Sequence, residues 1–404
     1  ERFAFSAGGF YEYEGGFFRN AALNNKKVDK GQSAGGRIRA IYLPSDNWKL
    51  DFNVSYEYGD QGGYPYGLYN KETGDVAKTA YNDESSYYRN LLNAGLNVEY
   101  QAQNFTLSAV TGYQHLKDRM FLDQDFTAKN TYTLEQKQRI NTISEEIVMK
   151  SKESHRWQWA TGIFGFYQWL NTTAPVTFKE DGMAMMDQML GNFIPALVEV
   201  PMGPGRNMNI MPALKVTSAR LPINGDFKTP LLNGALFHQS TFRDLFGIDG
   251  VSFTAGLRLD YEKMKMDYNS GTAMDYTIGI TGQMMMNGAP TGKPISMMPE
   301  TALTVTSRYQ GSISKDYLQL LPKFALQYDF PKNLGNVYAT VSKGYRSGGY
   351  NIQMFSDLLQ ASLKNDMMRL TKDEIMSQVP ENLKDMVNFI PDAGENPDAR
   401  AATV

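Results

Sequence analysis

Residues Gly31-Gln32-Ser33-Ala34-Gly35 carry the spacing of a G-x-S-x-G nucleophile elbow. In that device a strand delivers the serine to a sharp turn and a helix leads away, lifting the hydroxyl toward an ester. Here Asn24 to Lys30 is a polar loop and Arg37 to Leu43 reads as a strand. Small residues opening a strand are therefore the favoured reading, ahead of a lipase with Ser33 as its nucleophile. His115, His155 and His238, the only histidines, lie on three separate segments without metal-ligand spacing and read as hydrogen-bonded lumen or turn residues. Asp123 and Asp125 supply two carboxylates, well short of the oxygens a calcium site needs. The 22 methionines gather outside the regular segments, at Met183, Met185, Met186, Met189, Met202, Met208, Met211, Met284 to Met286, Met297, Met298, Met367 and Met368. Thioethers can hold a soft metal, but they also fill irregular apolar gaps, and filling of short helices is the favoured reading. Helices are expected over Met183 to Ile194 and through the tail from Met354 to Phe389. With no cysteine, disulfides, thiolate metal sites, iron–sulfur clusters and a thiol nucleophile are all excluded. A balance of 40 basic against 43 acidic residues gives no electrostatic case for nucleic acid. No catalytic residue, metal or cofactor is assigned.

The elements that would position these residues announce themselves by alternation. Trp48, Leu50, Phe52, Val54, Tyr56 and Tyr58 share one face; Lys49, Asp51, Asn53, Ser55, Glu57 and Gly59 share the other. The same period of two runs from Leu92, from Val251 and from Leu318. It marks strands with one apolar and one polar face. Eleven such strands are expected near 2–14, 35–43, 48–59, 91–100, 105–117, 138–150, 157–171, 234–244, 251–267, 317–330 and 336–347. Pro322 falls inside one of them, where it must cost a ladder bond or mark a bulge. Glu145 and Glu146 sit side by side in another. No apolar run is long enough for a membrane helix, but a barrel strand needs only about 9–11 alternating residues.

Short and long connections alternate. Residues 44–47, 101–104, 151–156, 245–250 and 331–335 are short; 15–34, 60–90, 118–137, 172–233, 268–316 and 348 onward are long and read as irregular. All long connections therefore fall at one end of the hairpins, as in an outer-membrane barrel with short periplasmic turns and long outer loops. Tyr11, Tyr13, Tyr56, Tyr58, Tyr113, Trp169, Tyr261 and Tyr268 would lie near the outer interface, and Trp48, Phe105, Trp157, Tyr328 and Phe330 near the inner one. The expected fold is all-β, an antiparallel transmembrane β-barrel with long extracellular loops. An odd strand count does not close a bacterial barrel, and the chain opens on Glu1-Arg2-Phe3 rather than on a methionine or signal peptide. Both features read as one domain over 1–404 that is part of a larger barrel.

Val337-Tyr338-Ala339-Thr340-Val341-Ser342-Lys343 followed by Gly344-Tyr345-Arg346-Ser347-Gly348-Gly349-Tyr350-Asn351 closely resembles a strand-to-loop signature of TonB-dependent outer-membrane receptors. Ala7-Gly8-Gly9-Phe10-Tyr11 leading into Gly16-Phe17-Phe18-Arg19-Asn20 is similar to that family's first barrel strand and loop, and Leu321-Pro322-Lys323-Phe324-Ala325-Leu326 matches its habit. The resemblance implies a 22-stranded barrel, of which about 11 strands are present here, with the plug and the remaining strands outside the chain. It further implies an outer-membrane protein, not an enzyme, that binds a scarce nutrient such as a ferric siderophore and imports it with energy supplied by TonB. The implied partners are outer-membrane lipid, TonB through a segment outside this chain, and the nutrient. A passive porin or barrel adhesin is the alternative. Tyr64, Tyr66, Tyr69, Tyr81, Tyr87, Tyr88, Arg89 and Arg206 are the candidates for first contact with a ligand, by stacking and charge-assisted hydrogen bonds.

Overall fold

The alternating segments pair edge to edge into one antiparallel sheet, seen in a computed structural model that describes residues 2–192, 194–379, 381, 384 and 391–403. In chain order the strands are β1 (Phe3–Glu14), β2 (Gly31–Ser45), β3 (Trp48–Gly62), β4 (Ser86–Gln101), β5 (Phe105–Asp123), β6 (Tyr132–Ser151) and β7 (Trp157–Thr173). There follow β8 (Val176–Phe178), α1 (Glu180–Gly191), β9 (Val198–Gly203), β10 (Arg206–Val216) and β11 (Leu221–Lys228). Then come β12 (Leu231–Arg243), β13 (Val251–Met286), β14 (Ile295–Asp329), β15 (Asn336–Ser342) and α2 (Met354–Gln378). All eleven expected strands are present as β1 to β7 and β12 to β15, each paired with its neighbour in that order. β7 joins β12 directly, so β8 to β11 are an insertion at the outer end.

Register fixes which face is which. Phe5, Ala40, Phe52 and Leu96 stand opposite one another in a row, as do Ile147, Ile163, Leu236, Leu259 and Leu320. On the other face one row reads Arg39, Asn53, Gly95, Gly112 and Ser144. The apolar face leaves Phe5, Ile38, Phe52, Leu236 and Leu320 bare in the isolated chain, a continuous patch too large for water and suited to lipid. Glu145 is a charged exception on this face; its carboxylate accepts the Thr111 hydroxyl at 2.5 Å. Glu146 takes the opposite, inner face, as adjacent strand residues must.

Pro322 keeps an unbroken register with Leu257. Its carbonyl accepts Lys343 N–H at 3.0 Å, so its backbone polar groups point toward β15. Pairing with β15 stops at Lys323, so neither a bulge nor a lost bond to β13 results.

The expectation of irregular loops is corrected at two places. Residues 268–316 are the continuation of β13 and β14, strands of 36 and 35 residues that form a ribbon reaching well past the lipid belt. Within 172–233 lie β8 to β11 and α1. The reason is a change of phase. Up to Tyr261 the odd residues of β13 are apolar and face lipid; from Met264 the even ones are, with Met266, Met274, Tyr276, Ile278 and Ile280 buried. Beyond the lipid the apolar face turns inward, where α1 and α2 cover it. Met183, Met186 and Leu190 of α1 and Leu363 and Met367 of α2 close over Met274, Tyr276 and Val305. Most of the methionines are filling for this dry, extracellular core. α2 confirms the helix expected from Met354 as far as Gln378; residues 380, 382, 383 and 385–389 of that expectation lie outside the described residues. α1 begins three residues ahead of its expected start. Gly182 within it is required, because a Cβ there would stand 2.3 Å from the Thr131 carbonyl oxygen. No described helix is long and apolar enough to cross a membrane.

Leu320 and Leu321 make a matched test of the two faces, since register turns the first to lipid and the second toward Arg258. In the full-length protein folded into lipid vesicles, Leu320→Glu is expected to cost about 2 kcal/mol in urea unfolding. Leu321→Glu, opposite a cation, should cost less than about 0.5 kcal/mol. Equal costs would show that the faces are misassigned.

Candidate functional site

The inner face is polar, and its charges pair both across strands and along them. Arg39 grips Asp51 with two bonds of 2.8 and 2.5 Å, and Arg89 pairs with Glu57. Higher on β13, Arg258 Nε donates to Asp260 at 2.8 Å while Asn233 donates to the other Asp260 oxygen at 2.7 Å. The Arg258 guanidinium also lies over Phe164 and Phe237, 5.7 and 5.8 Å from their ring centres. This is a cation held by a carboxylate two residues further out and by π-faces beside it. Tyr345 completes the cluster, donating its hydroxyl to Asp260 at 3.0 Å. Glu262 Oε1 is buried nearby without a hydrogen-bond partner.

Tyr345 gives the 344–351 segment a physical role. After β15 the chain turns onto the inner face, pinned first by Tyr345 and then by Tyr350, whose hydroxyl donates to the Ile313 carbonyl at 3.3 Å. Asn351 N–H donates to Ala402 O at 2.8 Å, and its side-chain oxygen accepts Gln353 N–H at 3.2 Å, setting the start of α2. Gly349 borders the same inner face, Ser347 and Gly348 are half-buried, and Gly344 and Arg346 are exposed. The segment is thus the hinge by which the wall passes into its roof.

At the outer mouth, two features could take a ligand. Tyr64 and Tyr66 lie 6.3 Å apart ring to ring, and Phe126 meets Tyr66 edge-on at 4.9 Å. Tyr64 and Phe126 both hold positive φ, 62° and 53°, a conformation that costs a bulky residue free energy and clusters at functional sites. Burial pushes the Tyr64 hydroxyl pKa upward. Tyr87 donates to Asp118 at 3.2 Å on the wall below them. Beside this cluster opens a cavity of about 620 Å³ between the outer ends of β5 and β6, β11 and the start of α2. Leu122, Tyr132, Phe178 and Phe355 give it apolar walls, and Gln136, Gln360 and Asp357 supply polar groups. That mixture suits a mid-sized ligand with a few directional polar atoms.

The sequence candidates divide accordingly. Tyr64, Tyr66 and Tyr87 come together at the mouth, with Arg89 paired to Glu57 alongside. Tyr69 is exposed in a small bridge with Val76, Tyr88 belongs to the lipid-side face, and Arg206 stands opposite Met286 at the ribbon tip. Tyr81 is fully buried, donates to Gly63 O at 2.8 Å, and has its hydroxyl pKa pushed up to about 12 by burial; it staples the loop. Tyr268, expected at the outer interface, turns inward onto Phe355 at 5.0 Å. Ser33 lies within β2 opposite Gly59, on a strand rather than an elbow. His115 Nδ1 is 2.8 Å from Asn141 Oδ1 and His238 Nδ1 is 2.6 Å from Thr161 Oγ1; opposite Leu92 and Leu257, both sit on the lipid-side face, which corrects the lumen position expected of them. Asp125 accepts Thr127 and Thr131 N–H, and Asp123 accepts Asn82 and Asp83 N–H at 3.0 and 3.1 Å. Both carboxylates tie loops together. Among the described residues no cluster of His, Asp and Glu could hold a metal ion. Phe126, Arg258, Asp260 and the cavity residues were not singled out by sequence. Arg258 and Asp260 carried a signal, two opposite charges two apart on a strand's wet face.

A one-ended antiparallel wall, lipid-clad outside and charged within, defines a large outer-membrane β-barrel with an elaborate extracellular mouth. The chain belongs to the TonB-dependent receptor-like β-barrel family, which matches residues 2–365. It is an outer-membrane protein of Gram-negative type, and that family consists of transporters rather than enzymes, which sets the Ser33 reading aside. Among solved structures, the ferric yersiniabactin uptake receptor FyuA from Yersinia pestis is similar with a TM-score of 0.55 and 16% identity, over 87% of this chain and 43% of that one. The chain thus spans under half of that receptor's length. The ferric citrate transporter FecA in unliganded form (TM-score 0.32, 8% identity, 86% and 69% covered) and the copper transporter OprC (0.34, 7%, 86% and 69%) are more distant.

Asp123, at the outermost end of β5, yields a pH test. Burial raises its carboxyl pKa to about 6 from an ordinary 3.8, against the pull of its two N–H donors. A raised folded-state pKa stabilises the docked loop fully below about pH 4 and loses that contribution as pH rises through 6. Amide exchange of Asn82 and Asp83, corrected for intrinsic rate, should show opening increase roughly tenfold or more between pH 4 and 7. Asp123→Asn should flatten that dependence; an unchanged slope in the variant would assign it elsewhere.

Proposed function

We propose that this chain is the mouth-bearing part of a longer active transporter. It captures a ferric siderophore or a similar scarce nutrient outside the cell and releases it inward with energy supplied through TonB. The one observation that supports this reading best is the cavity of about 620 Å³ set between the wall and α2, beside a strained aromatic cluster. A passive pore has no need of a roofed, partly apolar pocket at its entrance. Tyr64, Tyr66 and Phe126 would stack on a planar or aromatic ligand, Tyr87 and Arg89 would offer hydrogen bonds, and Gln136 and Gln360 would orient it in the cavity. Tyr88 faces the lipid side, Tyr69 sits in its bridge with Val76 and Arg206 at the ribbon tip, so none of the three joins this group, and any role of Tyr69 and Arg206 would be confined to encounter. The Gly344–Asn351 segment acts by holding the roof in place.

Uptake measurements test the proposal. A strain lacking the gene should lose growth and ferric-siderophore accumulation only under iron limitation, and only while TonB is present. Tyr66→Ala combined with Phe126→Ala should weaken ligand binding about tenfold or more, from one to two lost aromatic contacts. Normal accumulation of every ferric siderophore offered by the deletion strain would remove iron from the reading.

A further inference from the structure

One register row crosses the outer face just above the lipid belt: Tyr11, Ala34, Tyr58, Asn90, Lys117, Arg139, Asn171, Lys228 and Asp267. Its charge is uneven. Lys117 and Arg139 stand directly opposite each other on β5 and β6, both exposed, and neither has a side-chain hydrogen bond or ion pair among the described residues. Facing like charges repel. One rung further out Arg119 opposes Lys137, and these two share a single carboxylate, Glu135, at 2.5 and 3.0 Å. On this face, Lys117, Arg119, Lys137 and Arg139 thus gather around the single acid Glu135, in a chain whose net charge is −3.

Position along the strand gives this patch its meaning. Below it on the same face come Tyr113, which donates to Asn141 at 3.0 Å, and Trp169, edge-on to Tyr167 at 4.4 Å. Aromatic rings with polar tips mark the boundary between headgroups and hydrocarbon. From Met149 to Arg139 is about 33 Å along the strand, which a tilt near 40° projects to about 25 Å, the height of a barrel's apolar belt. The cations therefore lie at the level of the outer-leaflet headgroups and face the lipid, away from the ligand mouth. Two facing cations with side chains about 5 Å apart at the β-carbon can grip one phosphate from both sides. Lower on the same wall Gly165 faces Gly234, and a Cβ at Gly165 would meet nothing within 4 Å. These two glycines leave a shallow trough where an acyl chain can lie.

We infer that Lys117 and Arg139, backed by Arg119 and Lys137, form a binding site for an anionic lipid whose headgroup presents phosphate in the outer leaflet. The site neutralises the cross-strand repulsion with a lipid phosphate and fixes the depth of β5 and β6 in the membrane.

The full-length protein in detergent, titrated with lipid A and read by native mass spectrometry, tests this. The wild type should hold lipid A, and Lys117→Gln with Arg139→Gln should weaken retention about 30-fold, equivalent to about 2 kcal/mol at about 1.4 kcal/mol per decade. The conservative pair Lys117→Arg with Arg139→Lys should keep it, as should Arg37→Gln on the inner face. Inorganic phosphate at millimolar concentration should not displace the lipid, and phosphatidylcholine should not be retained. Unchanged retention by the neutral pair, equal retention of phosphatidylcholine, or displacement by inorganic phosphate alone would each overturn the site. If the neutral pair fails the heat-mobility test for a folded barrel, the two single Gln variants decide, each expected to lose about fivefold.

Discussion

Backbone hydrogen bonding inside hydrocarbon is the constraint on which the rest of this structure depends. With no water to bond to, a stray N–H or C=O costs several kcal/mol, so the chain can cross lipid here only as a continuous antiparallel wall. That requirement turns each crossing into a hairpin arm of at least about 9–11 residues and sets a strict two-residue alternation of lipid-facing and lumen-facing side chains. It also explains the treatment of Pro322, whose missing donor points to where β15 has ceased pairing. Polar side chains on the wet face then meet across strands and pair, which is why Arg39 finds Asp51 and Arg89 finds Glu57.

Once a strand leaves the lipid, the same chemistry runs in reverse. Outside the belt the outward face meets water and the inward face meets other protein, so apolar residues must change sides. β13 makes that change between Tyr261 and Met264, and the ribbon it forms with β14 becomes the floor of an ordinary dry core. The helices seal it with polar ties as well as apolar contact. The Tyr276 hydroxyl is 2.8 Å from Thr371 Oγ1, the Tyr309 hydroxyl is 2.6 Å from Ser362 Oγ, and Ser307 donates to Asp366 at 2.5 Å.

The wall was legible in the sequence because a single physical rule governs every crossing. Eleven strands, their order and the one-ended loops followed from alternation alone. The extracellular module was not legible, because the face switch at Met264 breaks the phase of the pattern without breaking the strand. Read as a failure of periodicity, residues 268–316 looked irregular, although Met274, Tyr276, Ile278 and Ile280 alternate as regularly as anything in the belt. The candidate site was legible in part. Tyr64, Tyr66 and Tyr87 were recognisable as loop aromatics near cations, but which tyrosines converge depends on how loops of 20 residues or more fold back. Phe126 is marked chiefly by its positive φ, a property no residue type announces. Tyr345 stood out only through family likeness, and its partner Asp260 lies 85 positions away in the chain.

The cavity lies where wall and roof meet. Its lining comes from two bodies: the wall, through Leu122, Tyr132 and Gln136, and the roof, through Phe355, Asp357 and Gln360 of α2. A ligand touching both is bound in proportion to how well roof and wall are aligned, so anything that shifts the roof changes affinity by the same free energy that binding contributes to the alignment. The roof is tethered to the wall through the 344–351 segment, whose Tyr345 is anchored to Asp260 on the lumen side. Contacts made in the lumen and contacts made at the mouth therefore meet on one short piece of chain.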